Sequence, residues 1–162
     1  MRATLTTARL VLRPATDADV PALRAHWNRP EVRRFLFDDT PVGVAQARGL
    51  LPDVWVVHKR TGTTFVGAVG LRQLDDVGHE VLYSLEPTHQ GSGYATEAAA
   101  AVVDHALDTL ELPYVVAEVD EANVASAAVA RRLGMTPFAT VPGPRGPLIR
   151  YRRRAISVGG QL

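Results

Sequence analysis

The chain has 162 residues, 46% of them hydrophobic and 22% charged, a balance typical of globular proteins and of one domain rather than two. The absence of cysteine excludes disulfides, thiolate metal sites and a cysteine nucleophile. A formal net charge of +1 gives no overall attraction to nucleic acid or a membrane surface, and no apolar run of about 18 residues predicts a signal peptide or a span. We therefore expect a cytoplasmic protein without nucleic-acid or membrane partners.

The hydrophobic pattern predicts helices and strands along almost the whole chain. Residues 8–14 predict a strand, because Leu10 and Leu12 alternate with arginines. A helix that begins near Asp17 buries one face up to Trp27. After it the pattern predicts, in chain order, helices over 31–37 and 44–51, strands over 54–58, 64–71 and 79–85, a long helix over 95–110, a strand over 114–119, a helix over 123–133, and strands over 136–141 and 148–154.

The order of these elements predicts a mixed α/β fold. Short turns join the three strands between residues 54 and 85, which indicates an antiparallel meander, and the long helix then crosses to the next strand. One domain is expected over residues 1–155, with a loop over 142–147 and a flexible tail over 156–162. Arginines crowd residues 150–154, and we interpret them as a solvated strand end because nucleic-acid binding needs a broader basic face.

The stretch between the strand at 79–85 and the following helix carries most information about chemistry. Its sequence is Gln90-Gly91-Ser92-Gly93-Tyr94-Ala95. The glycines let consecutive amide N–H groups point into one concavity, beside the free amides of a helix N-terminus. This pattern predicts a main-chain cradle for phosphate, although spacing alone also allows a glycine-rich turn without a ligand. No lysine follows the glycines, as a P-loop requires, and the dinucleotide fingerprint lacks its last glycine.

Gln90-x-x-Gly93-x-Ala95 resembles the Gln/Arg-x-x-Gly-x-Gly/Ala element with which the GNAT superfamily of N-acetyltransferases binds the pyrophosphate of CoA. The continuation through Thr96-Glu97-Ala98 is similar to the RimJ/RimL-like branch, the ribosomal-protein N-terminal acetyltransferases. Further segments that resemble this branch are Leu5-x-x-x-Arg9-Leu10-x-Leu12-Arg13-Pro14, Asn28-x-Pro30-Glu31-Val32, and Asn123-x-x-Ser126 followed by Arg132-Leu133-Gly134-Met135.

The resemblance implies the architecture of the site. It implies a central, mostly antiparallel sheet of about seven strands, splayed between the fourth and the fifth, with acetyl-CoA as acyl donor and a homodimer as the assembly. The backbone from Tyr83 to Leu85 would hold the pantetheine arm and residues 90–95 the pyrophosphate. Asn123 and Ser126 would also contact the cofactor, while Asn123 is equally well placed to cap a helix.

Acetyl transfer needs a free amine, and a lysine-like amine of pKa about 10.4 is only about 0.1% neutral near pH ~7.4. Glu80 is the candidate base because it lies on the strand beside the presumed reaction centre, although a solvent-facing carboxylate is an equal interpretation. His79 is a weaker candidate. Strand alternation places Ser84 on the same face as Glu80.

One departure from the family concerns the leaving thiolate. Many members carry a tyrosine four residues before the glycine of their Leu-Gly-Phe motif, and this chain has Ala130 there. Ser84 and Tyr83 are candidate substitutes. The departure keeps open an alternative function, a non-catalytic acetyl-CoA sensor. We expect the acceptor to be a primary amine, either a protein N-terminus or a small molecule. The histidines show no ligand spacing that predicts a metal site.

Overall fold

Eight strands and five helices form the part of the chain that the computed structural model describes, residues 2–74 and 77–156. In chain order they are β1 (Leu5–Thr6), β2 (Leu10–Pro14), α1 (Val20–Trp27), α2 (Pro30–Leu36), α3 (Val44–Leu50), β3 (Val54–Lys59), β4 (Phe65–Leu74), β5 (Gly78–Leu85), α4 (Tyr94–Asp104), β6 (Tyr114–Asp120), α5 (Val124–Arg132), β7 (Thr136–Gly143) and β8 (Gly146–Arg154). Short 3-10 turns lie at Asp17–Asp19, Leu51–Asp53 and Pro87–His89.

The strands form one sheet in the order β1-β2-β3-β4-β5-β6-β8-β7. All neighbours are antiparallel except β5 and β6, which are parallel and pair only at His79 with Val115 and at Glu80 with Val116. Beyond Glu80 the two strands diverge, which confirms the predicted splay. The sheet has one strand more than expected, because β1 has two residues and is too short to show a periodic pattern.

Helices cover both faces of the sheet, and each face has its own core. α4 and α5 pack on one side with Leu85, Val115 and Met135, while α1, α2 and α3 pack on the other around Leu23 and Ala47. Both faces of the middle strands are therefore covered by helices. This explains why β3 begins with a run of four buried apolar residues rather than an alternating pattern. No helix among the described residues is long and apolar enough to span a membrane.

Two elements differ from the prediction. The long helix expected over residues 95–110 ends as an α-helix at Asp104 and continues as a π turn at His105–Thr109. The loop expected over 142–147 is mostly strand, with Pro142 opposite Pro147 and Gly143 opposite Gly146. β7 lies at the edge of the sheet, where a proline costs no ladder hydrogen bond, and Gly146 has the positive φ (+119°) of a tight turn. Apart from Ile156, the predicted tail lies outside the described residues.

Candidate active site

A cleft of about 830 Å³ opens where β5 and β6 diverge. Most of the residues that the sequence singled out lie on its wall. They are Glu80, Tyr83, Ser84, Leu85, Gln90, Gly91, Gly93, Ala95, Asn123 and Ser126. The structure thus brings together residues from the end of β5, the following loop and the start of α5.

The open edge of β5 presents backbone groups to this cleft. The amide of Glu86 donates to the carbonyl of Val66 in β4 at 2.9 Å. Since successive amides of an extended chain point to opposite sides, the N–H groups of Leu85 and Tyr83 point away from β4, toward the divergence. The carbonyl of Leu85 lies on the same side, where it accepts from Nε2 of Gln90 at 3.3 Å.

The glycine loop forms a cradle at the end of the cleft. Gly91 and Gly93 have φ of +83° and +81°, the left-handed region that glycine adopts without strain. Gly93 is the N-cap of α4, no side chain caps this end, and the first amide bonded within the helix is that of Glu97, to the carbonyl of Gly93 at 3.1 Å. The amides of the first turn therefore remain available with the positive end of the helix dipole, an arrangement that fits a pyrophosphate.

Arg9 of the opening motif holds this loop from outside the cleft. Its Nη1 donates to the carbonyl of Ser92 at 2.9 Å, and its guanidinium lies 4.3 Å above the ring of Tyr94. Ser92 and Tyr94 accordingly lie beside the cleft rather than on its wall. Nε of Arg9 also donates to Glu97, which accepts from the Thr7 hydroxyl as well. Burial alone would raise the pKa of Glu97, but these hydrogen bonds outweigh it and lower the pKa.

Glu80 is buried in the cleft wall, with 3% of its surface exposed, and is not a solvent-facing carboxylate. Nε of Arg72, its cross-strand partner in β4, lies 3.3 Å from Oε2. Burial raises the pKa of Glu80 to about 7; Arg72 opposes this increase and Glu118 of β6 reinforces it. A carboxyl group with this pKa can both take up and release a proton near neutral pH.

Tyr83 and Ser126 join the open edge of β5 to α5. The Tyr83 hydroxyl donates to the Ser126 carbonyl at 2.9 Å and accepts from the Ser126 hydroxyl at 3.1 Å, and burial raises the pKa of Tyr83 to about 12. Asn123 accepts from the amide of Ser126 at 3.1 Å, so its predicted capping role is confirmed while it also lines the cleft. Ala130, at the family tyrosine position, is fully buried in the core.

A chain of polar side chains that the sequence did not reveal reaches Ser84 from behind. Its hydroxyl lies 2.8 Å from Nε2 of His26, and Nδ1 of His26 lies 2.9 Å from Oε2 of Glu86. Arg29 donates to the same carboxylate oxygen at 2.7 Å. His26 and Ser84 are 58 residues apart in sequence, so no local spacing could have linked them.

Other charged side chains have structural partners or lie at the rim of the cleft. Asp38 lines the cleft with a left-handed backbone, while Asp39 accepts from Arg33 at 3.0 Å. Of the C-terminal arginines, Arg150 binds Glu118 at 2.7 Å and Arg153 binds Asp104 at 3.1 Å. The described residues contain no group of three or more histidines and carboxylates placed to hold a metal ion.

A sheet whose strands β5 and β6 diverge beside a glycine-rich loop is the architecture that the sequence resemblance predicted. The family model of the acetyltransferase (GNAT) domain matches residues 9–136, and the chain belongs to this family. Membership confirms the predicted enzyme class, an N-acetyltransferase, and acetyl-CoA as the acyl donor.

Individual relatives agree with this assignment. The chain is 27% identical to the uncharacterized N-acetyltransferase YoaA of Bacillus subtilis over 143 residues, 80% of this chain and 81% of that protein. An acetyltransferase structure from Agrobacterium tumefaciens is 30% identical, with a TM-score of 0.82 and 95% of both chains covered. RimL, a ribosomal alpha-N-protein acetyltransferase solved with coenzyme A, has the same fold at 17% identity, with a TM-score of 0.80 and coverage of 94% and 98%.

Proposed function

We propose that this protein transfers the acetyl group of acetyl-CoA to a primary amine by direct attack of the amine on the thioester. The main observation that supports the proposal is the order of chemical groups along one cleft. The loop at residues 90–95 leads into a helix N-terminus without a side-chain cap, which fits a phosphate group, and Glu80, a buried carboxyl group with a pKa of about 7, lies where β5 and β6 begin to diverge. The transfer requires both an anion site for the donor and a group that exchanges protons near neutral pH.

On the donor side, the open edge of β5 would receive the pantetheine arm as if it were another strand. The amides of Tyr83 and Leu85 point toward the divergence, as argued from the bond between Glu86 and Val66. The Leu85 amide is then the proposed donor to the oxyanion of the tetrahedral intermediate, a role that typically supplies ~2.7–4 kcal/mol. Asn123 and Ser126, on the opposite wall, are the further proposed contacts of the donor.

On the acceptor side, Glu80 is the proposed base that makes the amine nucleophilic. An alkyl ammonium of pKa about 10.4 holds its proton at neutral pH, so the site has to remove it. A buried carboxylate attracts the ammonium and accepts the proton within the same contact. Burial raises the pKa of Glu80, and Arg72 and Glu118 on the neighbouring strands then adjust it in opposite directions.

The motif similarity to the RimJ/RimL-like branch supports a protein N-terminus as acceptor, with a small-molecule amine as the other candidate. The homodimer and the cytoplasmic location remain predictions. A non-catalytic acetyl-CoA sensor is the alternative, and binding of acetyl-CoA without cleavage of its thioester by any amine would favour it.

The first test is calorimetric titration with acetyl-CoA and CoA, with variants that place charge at the cradle. Gly93 is unsuitable for this because its φ is +81° and a Cβ there would lie 3.4 Å from the Arg9 guanidinium. Thr96 lines the cleft in the first turn of α4, where aspartate is a favourable helix residue. We expect Thr96→Asp to repel the pyrophosphate and weaken CoA binding roughly tenfold or more, while the uncharged Thr96→Asn binds like the wild type.

The second test is thioester cleavage with four acceptor classes: a peptide with a free N-terminus, an amino acid, a polyamine and an aminoglycoside. Amine-dependent release of CoA supports the enzyme and selects its acceptor. Absence of acetyl-CoA binding by the wild type would overturn the proposal.

A further inference from the structure

Ser84, His26 and Glu86 form a continuous hydrogen-bonded chain from the cleft wall to the protein surface. Ser84 lines the cleft, and His26 behind it has none of its surface exposed. The Glu86 side chain is 16% exposed and is bound by the half-exposed Arg29. The three side chains come from β5, α1 and the residue after β5, so they meet only in the folded protein.

The charge of Glu86 fixes the direction of each hydrogen bond. Hydrogen bonds from His26 and Arg29 hold the pKa of Glu86 low despite the opposing effect of burial, so the carboxylate only accepts. Nδ1 of His26 must then donate to it. Burial lowers the pKa of His26 against the opposing effect of Glu86, so the ring carries one proton and Nε2 accepts from the Ser84 hydroxyl. Ser84 therefore directs its hydrogen toward His26 and can accept a proton only through the lone pairs of its oxygen.

Conversion of an ammonium to an amide requires two protons to leave the nitrogen. One leaves before the attack, and Glu80 is the group proposed above to take it. The second leaves once the new N–C bond has formed. The C–S bond breaks in the same reaction, and the departing thiolate needs a proton. With Ala130 at the family tyrosine position, the described cleft has no tyrosine from α5 to supply it.

We propose that Ser84, backed by His26 and Glu86, moves this second proton from the nitrogen to the sulfur. This inference depends on the proposed acetyltransferase function. Ser84 accepts the proton from the nitrogen as its own hydrogen passes to Nε2 of His26, and the imidazolium is stabilised by Glu86. When the C–S bond breaks, Nε2 returns its proton to Ser84, which protonates the sulfur. The sum is one N–H bond lost and one S–H bond gained, with the three side chains restored.

Ser84 is the catalytic residue in this scheme, because it touches the reacting atoms. His26 and Glu86 act through it as positioning residues. The arrangement has the logic of the serine–histidine–carboxylate triad, in which the carboxylate fixes the tautomer of the ring and stabilises its charged form. Here the serine relays a proton and forms no covalent bond with the acetyl group.

The test measures three quantities: kcat, the KM for the best acceptor of the four classes, and the Kd for acetyl-CoA. The proteins compared are the wild type, Ser84→Ala, Ser84→Thr, His26→Asn and the double variant Ser84→Ala/His26→Asn. We expect Ser84→Ala and His26→Asn each to lower kcat by roughly tenfold to a hundredfold, with KM and Kd nearly unchanged. The double variant should fall no further than either single variant, because the residues act as one unit. Ser84→Thr keeps the hydroxyl and should recover most of kcat.

His58→Asn is the matched control, since His58 and His26 both lie edge-on to the ring of Phe65. A purely structural role of His26 would predict that the folded His26→Asn protein keeps a kcat like that of His58→Asn, and that losses in the double variant are additive. Ser84→Ala and Ser84→Thr decide the question even when His26→Asn does not fold. If the wild type cleaves acetyl-CoA and Ser84→Ala keeps the full kcat, this inference is overturned while the proposed function stands. A wild type that does not bind acetyl-CoA overturns the proposed function together with it.

Discussion

Nε of Arg9 donates to Oε1 of Glu97 at 2.7 Å, which ties the residue before β2 to the first turn of α4. The same guanidinium binds the Ser92 carbonyl and covers the Tyr94 ring. Three contacts of one side chain thus fix the glycine loop from the side away from the cleft. The amides of the cradle are thereby positioned before any ligand arrives, which reduces the entropy that binding has to overcome.

Replacement of Arg9 by alanine should therefore loosen the cradle. Arg9 is 45% exposed, so its ion pair with Glu97 is screened, and we expect a loss of about 1 kcal/mol in the free energy of unfolding. Affinity for CoA should fall roughly threefold to tenfold, as measured by calorimetry. Arg48→Ala is the control, because the ion pair of Arg48 with Asp17 spans 3.9 Å between exposed side chains. Unchanged CoA affinity in Arg9→Ala would show that the loop holds its shape without the arginine.

Glu80→Gln should abolish the acidic limb of the pH–rate profile. The pKa of about 7 predicts that kcat/KM falls as the pH drops below 7 and Glu80 takes up a proton. The variant should lose roughly 10²- to 10⁴-fold in kcat, with the Kd for acetyl-CoA nearly unchanged. Glu118→Gln should instead shift the limb to lower pH, since Glu118 raises the pKa of Glu80. A limb that persists in Glu80→Gln assigns the base to another group.

The same residue should make stability depend on pH. The pKa of Glu80 lies near 7 in the folded protein against an ordinary 4.5, so the folded state holds a proton that the unfolded state has released. Its contribution is therefore fully present below pH 4.5 and is lost as the pH rises to 7, by about 3 kcal/mol. Urea unfolding should measure the free energy of unfolding of Glu80→Gln and of the wild type in acidic and in alkaline buffer. From the acidic to the alkaline buffer, the difference in this free energy between variant and wild type should change by this amount in favour of the variant. Parallel stability curves for the two proteins would contradict the buried carboxyl.

Substitution of Gly67 in β4 tests how closely this strand packs against β5, which carries Glu80 and Ser84. A Cβ at Gly67 would lie 2.1 Å from the Ser84 carbonyl oxygen and 3.0 Å from Leu85 Cα, so an alanine has to displace β5. We expect Gly67→Ala to lower the free energy of unfolding by roughly 1–3 kcal/mol and to weaken CoA binding. Gly70→Ala in the same strand is the control, since its nearest neighbour, the Asp53 carbonyl, lies at an ordinary 3.5 Å. Differential scanning calorimetry and a CoA titration compare the two, and equal behaviour would contradict the close approach.

The cradle was predictable from sequence because its parts are neighbours in the chain. Gln90 to Ala95 form one loop, and the glycine spacing alone indicates how its amides point. Asn123 and Ser126 are similarly local, one helical turn apart. The divergence of β5 and β6 and the identity of the enzyme class came from the family resemblance, not from periodicity.

The environment of Glu80 and the chain behind Ser84 were not predictable in this way. Glu80 lies between strands from distant parts of the chain; its burial raises its pKa, Arg72 of β4 opposes this effect and Glu118 of β6 adds to it. Its sequence neighbours left burial and exposure equally open. His26 reaches Ser84 from a helix 58 residues earlier, and a lone histidine carries no signal of such a contact. Tertiary packing determines these features, and a periodic pattern contains only local information.

The divergence of β5 and β6 also changes the number of open strand edges in the sheet. A continuous sheet has two edges, and this one has four, because the ladder stops after Glu80 and Val116. Exposed edges in other proteins recruit extended chains by main-chain hydrogen bonding. Here the inner pair faces a cleft whose walls include residues of α4 and α5. In the proposed function, the pantetheine arm would occupy the place of a missing strand at this inner edge.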